Sequence, residues 1–314
     1  MTLLIGRPGP QTTVQDLGRT GYRFLGVPAG GACDSVALRV GNLLLGNPAE
    51  AAALEIMLGG LQLRFEMPRR FALTGAPVAA TLDGRPLSGW RVYEAAAGAV
   101  LRLAFSSEGA RIYLCVAGGI DVPPVLGSRA TGLLAGLGGF GGRGLAQGDR
   151  VPLGPLPACM PQPAAVLPPP RGEVLRVLPG PEWPQLPRAA QRALLTYPWR
   201  VSPASNRMGA RLTGPQLALE GLAEPDSHAV LPGVVQLPPG GQPILLLADA
   251  QTTGGYAKPL VVIEADLWRA GQLHPGATVR FAEIGPDEAL AALAAQRAWL
   301  AHIERNLRWH TPLT

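Results

Sequence analysis

Lysine is almost absent from this sequence: Lys258 is the only one in 314 residues, so the net charge of +5 and the pI near 9.6 rest on arginine. Aromatic residues make up only 5% and the arginines are dispersed. That pattern lacks the basic stripes and stacking platforms of a nucleic-acid binder. Cysteine is rare too. Cys33, Cys115 and Cys159 are odd in number and widely spaced, which argues against a disulfide framework or a Cys-x-x-Cys metal site and fits a reducing compartment. His228, His274, His302 and His310 fall in no ligand-spaced pattern with cysteines or carboxylates, so no metal site is expected. The Gly-x-Ser-x-Gly hydrolase elbow is missing. The start, Met1-Thr2-Leu3-Leu4-Ile5-Gly6, is not a signal peptide, and no stretch approaches the roughly 18 apolar residues of a membrane helix. A cytoplasmic chain without membrane contact is the expectation.

Glycine and proline, by contrast, are abundant. The 41 glycines and 33 prolines punctuate short apolar runs, and 47% of residues are hydrophobic against 16% charged, the signature of a turn-rich, packed β protein. One motif recurs: apolar, two residues, Gly, two residues, apolar, one residue, then Leu or Phe. It runs through Met57/Gly60/Leu63/Phe65, Leu145/Gly148/Val151/Leu153 and Leu273/Gly276/Val279/Phe281, with a looser copy at Ala95/Gly98/Leu101/Leu103. Each copy reads as a turn feeding a strand with one buried face. A second echo sets Gln11-Thr12-Thr13 with Gly21-Tyr22 against Gln251-Thr252-Thr253-Gly254-Gly255-Tyr256. Two related β-rich halves with barrel-like architecture are predicted, a mainly β fold with a few helices. The first covers 1–155 and the second 173–285. Between them, 156–172 is a proline-rich connection: seven prolines from Pro155 to Pro170 exclude helix and central strand.

Three helices are predicted against this background. Asp34 can cap Ser35 to Leu45, with Val36, Val40, Leu43 and Leu44 on one face and Gly46 then Asn47-Pro48 as the stop. Pro286 to about Arg305 forms the bulk of a C-terminal helix and tail, 286–314, with Asp287 and Glu288 at its positive end and Leu290, Leu293, Leu300 and Ile303 as its buried stripe. A shorter helix covers Arg188 to Leu195.

Four polar stretches could carry chemistry. In the first, Asp16 and Arg19 stand among glycines and could orient a polar ligand, or simply pair to tie a turn. In the second, Gly26 to Ser35 sets a glycine-rich loop before a helix start, where backbone N–H groups can receive an anion; Cys33 reads there as a partly buried thiol, not a nucleophile. In the third, Arg207 and Arg211 either close on an anion or are solvated surface arginines. In the fourth, the strand Ile244 to Leu247 delivers the loop Ala248 to Pro259, whose amide, hydroxyls and N–H groups suit an amide ligand or form an ordinary hairpin loop.

Thr13-Val14-Gln15-Asp16-Leu17-Gly18-Arg19, Val116 through Arg129, Ser205-Asn206-Arg207-Met208-Gly209 and Ala248 through Tyr256 together resemble the family of the 5-oxoprolinase C subunit, also called the KipI antagonist or allophanate hydrolase subunit 2. The resemblance runs from about Gly9 to Phe281 and extends to half of the carboxyltransferase region of urea carboxylase. It implies a cyclophilin-like β-barrel and a component of ATP-dependent 5-oxoprolinase, working with a KipI-like B subunit and with an A subunit to open the 5-oxoproline lactam to glutamate. A lactam is a poor electrophile; ATP would activate its oxygen before water attacks, and the site must hold anionic groups. The resemblance therefore assigns Arg129, Arg207 and Arg211 as catalytic residues that bind or orient anions, and assigns substrate binding to Asp16, Arg19 and Asp34, with the carboxylates organising loops, and to Gln251, Thr252, Thr253, Gly254 and Tyr256 at the amide. ATP enters as a co-substrate of the complex.

The sequence departs from the family at Cys33, at Ala250 before Gln251, and around His228 to Pro232 and Pro259 to Val262. Two alternatives follow from the same resemblance: a carboxyltransferase component of a biotin-dependent urea or amide carboxylase, and a regulator that binds a KipI-like kinase inhibitor. A biotin-carrying lysine stands in a Met-Lys context; Ala257-Lys258-Pro259 does not supply one, so no covalently attached biotin is expected. ATP-binding fingerprints are missing as well, which predicts a chain inactive without partners.

Overall fold

The short apolar runs pair into sheets because each alternates a buried and a less buried face between glycine turns. The computed structural model describes residues 1–219 and 225–309; His310 and the rest of the tail lie outside them. The described chain is mainly β and falls into two units that interleave in sequence: Met1–Arg19, Gly30–Pro169 and Ala298–Thr314 in the first, Thr20–Ala29 and Pro170–Arg297 in the second.

The first unit is a two-sheet sandwich. One sheet has six strands, in the order Arg150–Pro152, Thr2–Pro8, Leu61–Phe65, Val100–Leu103, Ala80–Leu82, Arg85–Leu87; the other has five, Gln11–Gln15, Ala53–Met57, Arg111–Val116, Arg69–Gly75, Arg91–Ala95. Leu3, Ile5, Leu63, Phe65 and Leu101 from the first meet Leu54, Ile56, Phe71, Leu73 and Leu114 from the second in one core. The far face of the five-stranded sheet is covered as well. There the helix Ser35–Leu44, which we call α1, packs Ala37, Leu38, Val40 and Leu44 against Ala72, Tyr113 and Cys115. Burial on both faces explains why Arg111–Val116 is buried at every position. Asp34 caps the helix, its carboxylate accepting from the Ala37 N–H at 2.8 Å. Gly41 lets it come close: a Cβ there would lie 2.5 Å from the Cys115 sulfur.

The second unit is a closed seven-stranded barrel in the order Val174–Pro179, Ala257–Val262, Val234–Leu237, Ile244–Leu246, Gly209–Thr213, Trp199–Val201, Thr278–Glu283. The last strand returns to the first by parallel pairing, Leu175 opposite Phe281. Trp199, Val201, Leu212, Leu245, Leu260, Val279 and Phe281 fill the interior. Outside it, a two-stranded ribbon pairs His228 with Gly254 and Ala229 with Thr253. The halves are thus both β-rich but differ in closure, one an open sandwich and the other a barrel.

All four copies of the glycine motif are turns entering strands, and their glycines have φ between 74° and 89°, the left-handed region that a side chain disfavours. Their apolar positions, Leu63, Phe65, Leu101, Leu103, Val151, Leu153, Val279 and Phe281, are buried. The proline-rich stretch forms no helix or named strand but is not a loose tether. Ala164 accepts from the Val92 N–H and Val166 donates to the Trp90 carbonyl, so it lies along the edge of the five-stranded sheet. The helices observed are Ser35–Leu44, Arg188–Thr196, Leu267–Gly271 and Pro286–Trp309. Within the last, Ile303 is buried as expected, but Leu290 is 66% exposed; the apolar stripe is covered only along the helix's C-terminal part. Among the described residues, no helix is long and apolar enough to cross a membrane.

Candidate functional site

The polar loop after Ile244–Leu246 is held against the barrel wall by a chain of specific contacts. Arg207, buried before the strand Gly209–Thr213, makes a two-pronged ion pair with Asp249: Nε to Oδ2 and Nη2 to Oδ1, each 2.9 Å. The Asp249 N–H also donates to the Arg207 carbonyl at 3.0 Å. A planar guanidinium is the group that grips a carboxylate this way. Beyond this clamp, Gln251 Nε2 donates to Gln236 Oε1 at 3.1 Å. Arg23, on the segment Thr20–Ala29, binds the carbonyls of Val230 and Gln251, the latter at 3.2 Å, and its burial lowers its pKa from the ordinary arginine value.

Around that frame, donors are left unused. Gln236 is 2% exposed, yet its Nε2 has no hydrogen-bond partner among the described residues, and neither has Arg23 Nη1. A buried unmatched amide is costly. Gly254 faces this amide: a Cβ there would stand 2.5 Å from Gln236 Nε2. Thr253 and Tyr256 are exposed, and the Thr252 carbonyl accepts from the Val230 N–H at 3.0 Å. Lys258 Nζ donates to the Tyr256 carbonyl at 2.8 Å and lies 3.3 Å from His228 Nδ1. Burial depresses the Lys258 pKa, opposed by the charge of Glu182, whose carboxylate accepts the Lys258 N–H at 2.8 Å.

The residues singled out from sequence divide between the two units. Gln251, Thr252, Thr253, Gly254 and Tyr256 lie in the barrel cluster. Arg207 belongs there too, but its guanidinium is occupied by Asp249. Arg211, on the outward face of its strand between Ala210 and Leu212, is exposed, so the two arginines do not act as one grip. In the sandwich, Asp16 accepts from Gly18 N at 2.7 Å, Ser128 Oγ at 2.7 Å and Arg129 N at 2.5 Å, and the Arg129 side chain binds the Val122 carbonyl and Asp121. Asp16 and Arg19 do not pair with each other: Arg19, buried, donates to the Ala130 carbonyl. Asp34 is a buried helix cap, with Tyr113 Oη accepting its N–H at 2.8 Å. Beside it, Glu55 accepts from Cys33 N at 2.9 Å and Tyr113 Oη at 2.6 Å and pairs with Arg111 at 3.3 Å. Sequence reasoning missed Arg23, His228, Gln236 and Lys258 as members of the barrel cluster. For Lys258 a signal existed in its being the sole lysine.

Comparison with known proteins adds to this geometry. The chain is 47% identical over 309 residues to the 5-oxoprolinase C subunit of Escherichia coli, covering 96% of this chain and 99% of the relative. Its likeness to the Haemophilus influenzae protein of that name is 39% over 295 residues, 94% and 95% of the two chains. Among solved structures, the Kluyveromyces lactis urea amidolyase superposes with a TM-score of 0.90 at 31% identity, over 96% of this chain but only 20% of that one. The Kluyveromyces lactis urea carboxylase gives the same score and identity, over 29% of its length. The model of the carboxyltransferase domain, subdomain A and B, matches residues 25–283, and the chain belongs to that family.

Proposed function

We propose that this chain is the C subunit of an ATP-dependent 5-oxoprolinase, which opens 5-oxoproline to glutamate with a KipI-like B subunit and an A subunit. The observation that carries the reading is the end-to-end likeness to two proteins named as the C subunit of 5-oxoprolinase, each matched over nearly its whole length. The barrel cluster supports it chemically. A lactam presents one N–H and one C=O, and Gln236 and Gln251 offer an amide pair whose outer donor has no partner among the described residues. The hydroxyls of Thr252, Thr253 and Tyr256 border the same loop, and Gly254 leaves room for a ligand's approach. Arg207 acts as a positioning residue through Asp249. Arg211 is left exposed on the barrel to meet substrate charge, whereas Asp16, Arg19, Asp34 and Arg129 hold the loops of the sandwich, and the nucleotide belongs to the assembled complex.

The test is to purify the chain with its partner proteins and measure glutamate release from 5-oxoproline with and without ATP. Release that needs every component and ATP supports the reading; an assembled complex inert towards 5-oxoproline overturns it. The second reading, a carboxyltransferase component, is favoured by the close superposition on urea carboxylase. It predicts that turnover of urea or a related amide instead requires biotin and bicarbonate.

A further inference from the structure

Lys258 and His228 meet at a single nitrogen, and its valence couples their protonation. His228 Nδ1 lies 3.0 Å from the Asp226 carbonyl and 3.3 Å from Lys258 Nζ. If Nδ1 carries a proton, it can donate to the carbonyl or to a lysine lone pair but cannot accept from an ammonium. If it lacks one, it can accept from the ammonium but leaves the carbonyl unmatched. The lysine side is also asymmetric. A neutral amine donating to the Tyr256 carbonyl and accepting from Nδ1 uses both of its contacts. An ammonium has three donors for the same two partners, in a side chain on a residue 3% exposed.

We propose that Lys258 and His228 form a proton-exchange pair, with Lys258 resting as the neutral base of the barrel site and His228 positioning it and equilibrating its proton with solvent between turnovers. Among the described residues, the charged groups facing Lys258 are few: Glu182 from before the helix Arg188–Thr196, acting by charge, and His228 from the ribbon. His228 is exposed, so its Nε2 can exchange with water while Nδ1 faces the lysine. For the chemistry the pair serves, the inference rests on the ring-opening reading above. There, Nζ takes one proton from the attacking water as its oxygen bonds to the ATP-activated lactam carbon. As the C–N bond breaks, the ring nitrogen takes that proton back from the ammonium and the remaining proton of the attacking water, leaving an amino group, a neutral lysine and an acyl phosphate that a second water hydrolyses to the carboxylate and inorganic phosphate. The balance needs only water and the nucleoside triphosphate of the proposed reaction.

Because Lys258 is the only lysine, the full chain labelled with 15N-lysine gives one Nζ signal to follow against pH. The expected midpoint lies below the ordinary lysine value of 10.5, and His228→Ala should move it by roughly half a unit or more. A midpoint above the pH at which the complex turns over, or one unmoved by His228→Ala, overturns the pair. In the assembled complex, Lys258→Arg should lower kcat by about 100-fold or more, while His228→Ala should displace the pH–rate profile with KM little changed. Full activity in the lysine variant overturns the catalytic part. If the wild-type complex leaves 5-oxoproline intact, the ring-opening reading fails while the shift on His228→Ala still decides the pair.

Discussion

The sandwich and the barrel each bury a polar cluster, and the two differ in how they are completed. In the sandwich, Glu55 gathers the Cys33 N–H, the Tyr113 hydroxyl and the Arg111 guanidinium, and Tyr113 in turn accepts from Asp34 N at the start of α1. Partners from several segments converge on one carboxylate. In the barrel, Gln251 and Gln236 share one bond, the outer Gln236 donor is left over among the described residues, and Thr253, Tyr256 and His228 in the adjoining loop and ribbon are exposed. A network buried throughout, as Cys33, Asp34, Glu55, Arg111 and Tyr113 all are, rigidifies a fold. One left open at its rim can accept a ligand without first breaking a protein contact. The first cluster therefore reads as structure and the second as site.

The sharpest way to break that comparison is to damage each cluster and read stability and turnover separately. Glu55→Leu removes the shared acceptor of the Cys33 N–H, the Tyr113 hydroxyl and the Arg111 guanidinium from a buried site, so it should destabilise the chain by about 3–5 kcal/mol in chemical denaturation. A smaller loss would mean that the sandwich network is dispensable. Gly41→Ala comes next. The added methyl must displace α1 from Cys115, for an expected cost of about 1–3 kcal/mol by the same measurement. Gln251→Ala leaves the buried Gln236 acceptor unmatched and should cost about 1–3 kcal/mol in stability, its main effect being to lower turnover of the assembled complex. Damage to stability equal to that of Glu55→Leu would move the barrel cluster into the structural class.

The smallest effects are in pH dependence, where the two clusters have opposite signs. Tyr113 is raised well above its ordinary value, by burial first and by the charge of Glu55 second. The folded state keeps its proton where the unfolded chain loses it, so stability falls as pH rises above about 10. Lys258 is lowered, by burial. Between its folded value and 10.5 the unfolded chain binds the extra proton, so this group makes stability rise with pH. Lys258→Met should flatten that rise, and Tyr113→Phe should flatten the fall, in denaturation series from about pH 7 to 11. A lysine variant with an unchanged slope would remove Lys258 from the account.

Local chemistry was legible in the sequence wherever a rule acts over a few residues. The Asp34 cap, the glycine turns at Gly60 and Gly276 and the strand ahead of the Ala248 loop all follow from neighbours. The exposed Leu290 shows the limit, since a helical stripe says which residues share a face but not how far that face is covered. The site was half legible for the same reason. Gln251 to Tyr256 announce themselves as a polar loop after a buried strand. His228 and Gln236 reach that loop only because the barrel and ribbon pair their strands beside it. Arg23 reaches Gln251 across 228 positions, and no spacing links them. Arg207 shows what spacing leaves out: Asp249, 42 positions away, pairs with its guanidinium.

The parallel pairing of Val174–Pro179 with Thr278–Glu283 sets an order for assembly. The first strand of the barrel has no second neighbour until the last has been made, and long-range pairings of this kind close slowly. A nascent chain that stops short of residue 278 holds most of the site's residues, yet it presents two bare strand edges, the form of a β protein most prone to pair with the wrong partner.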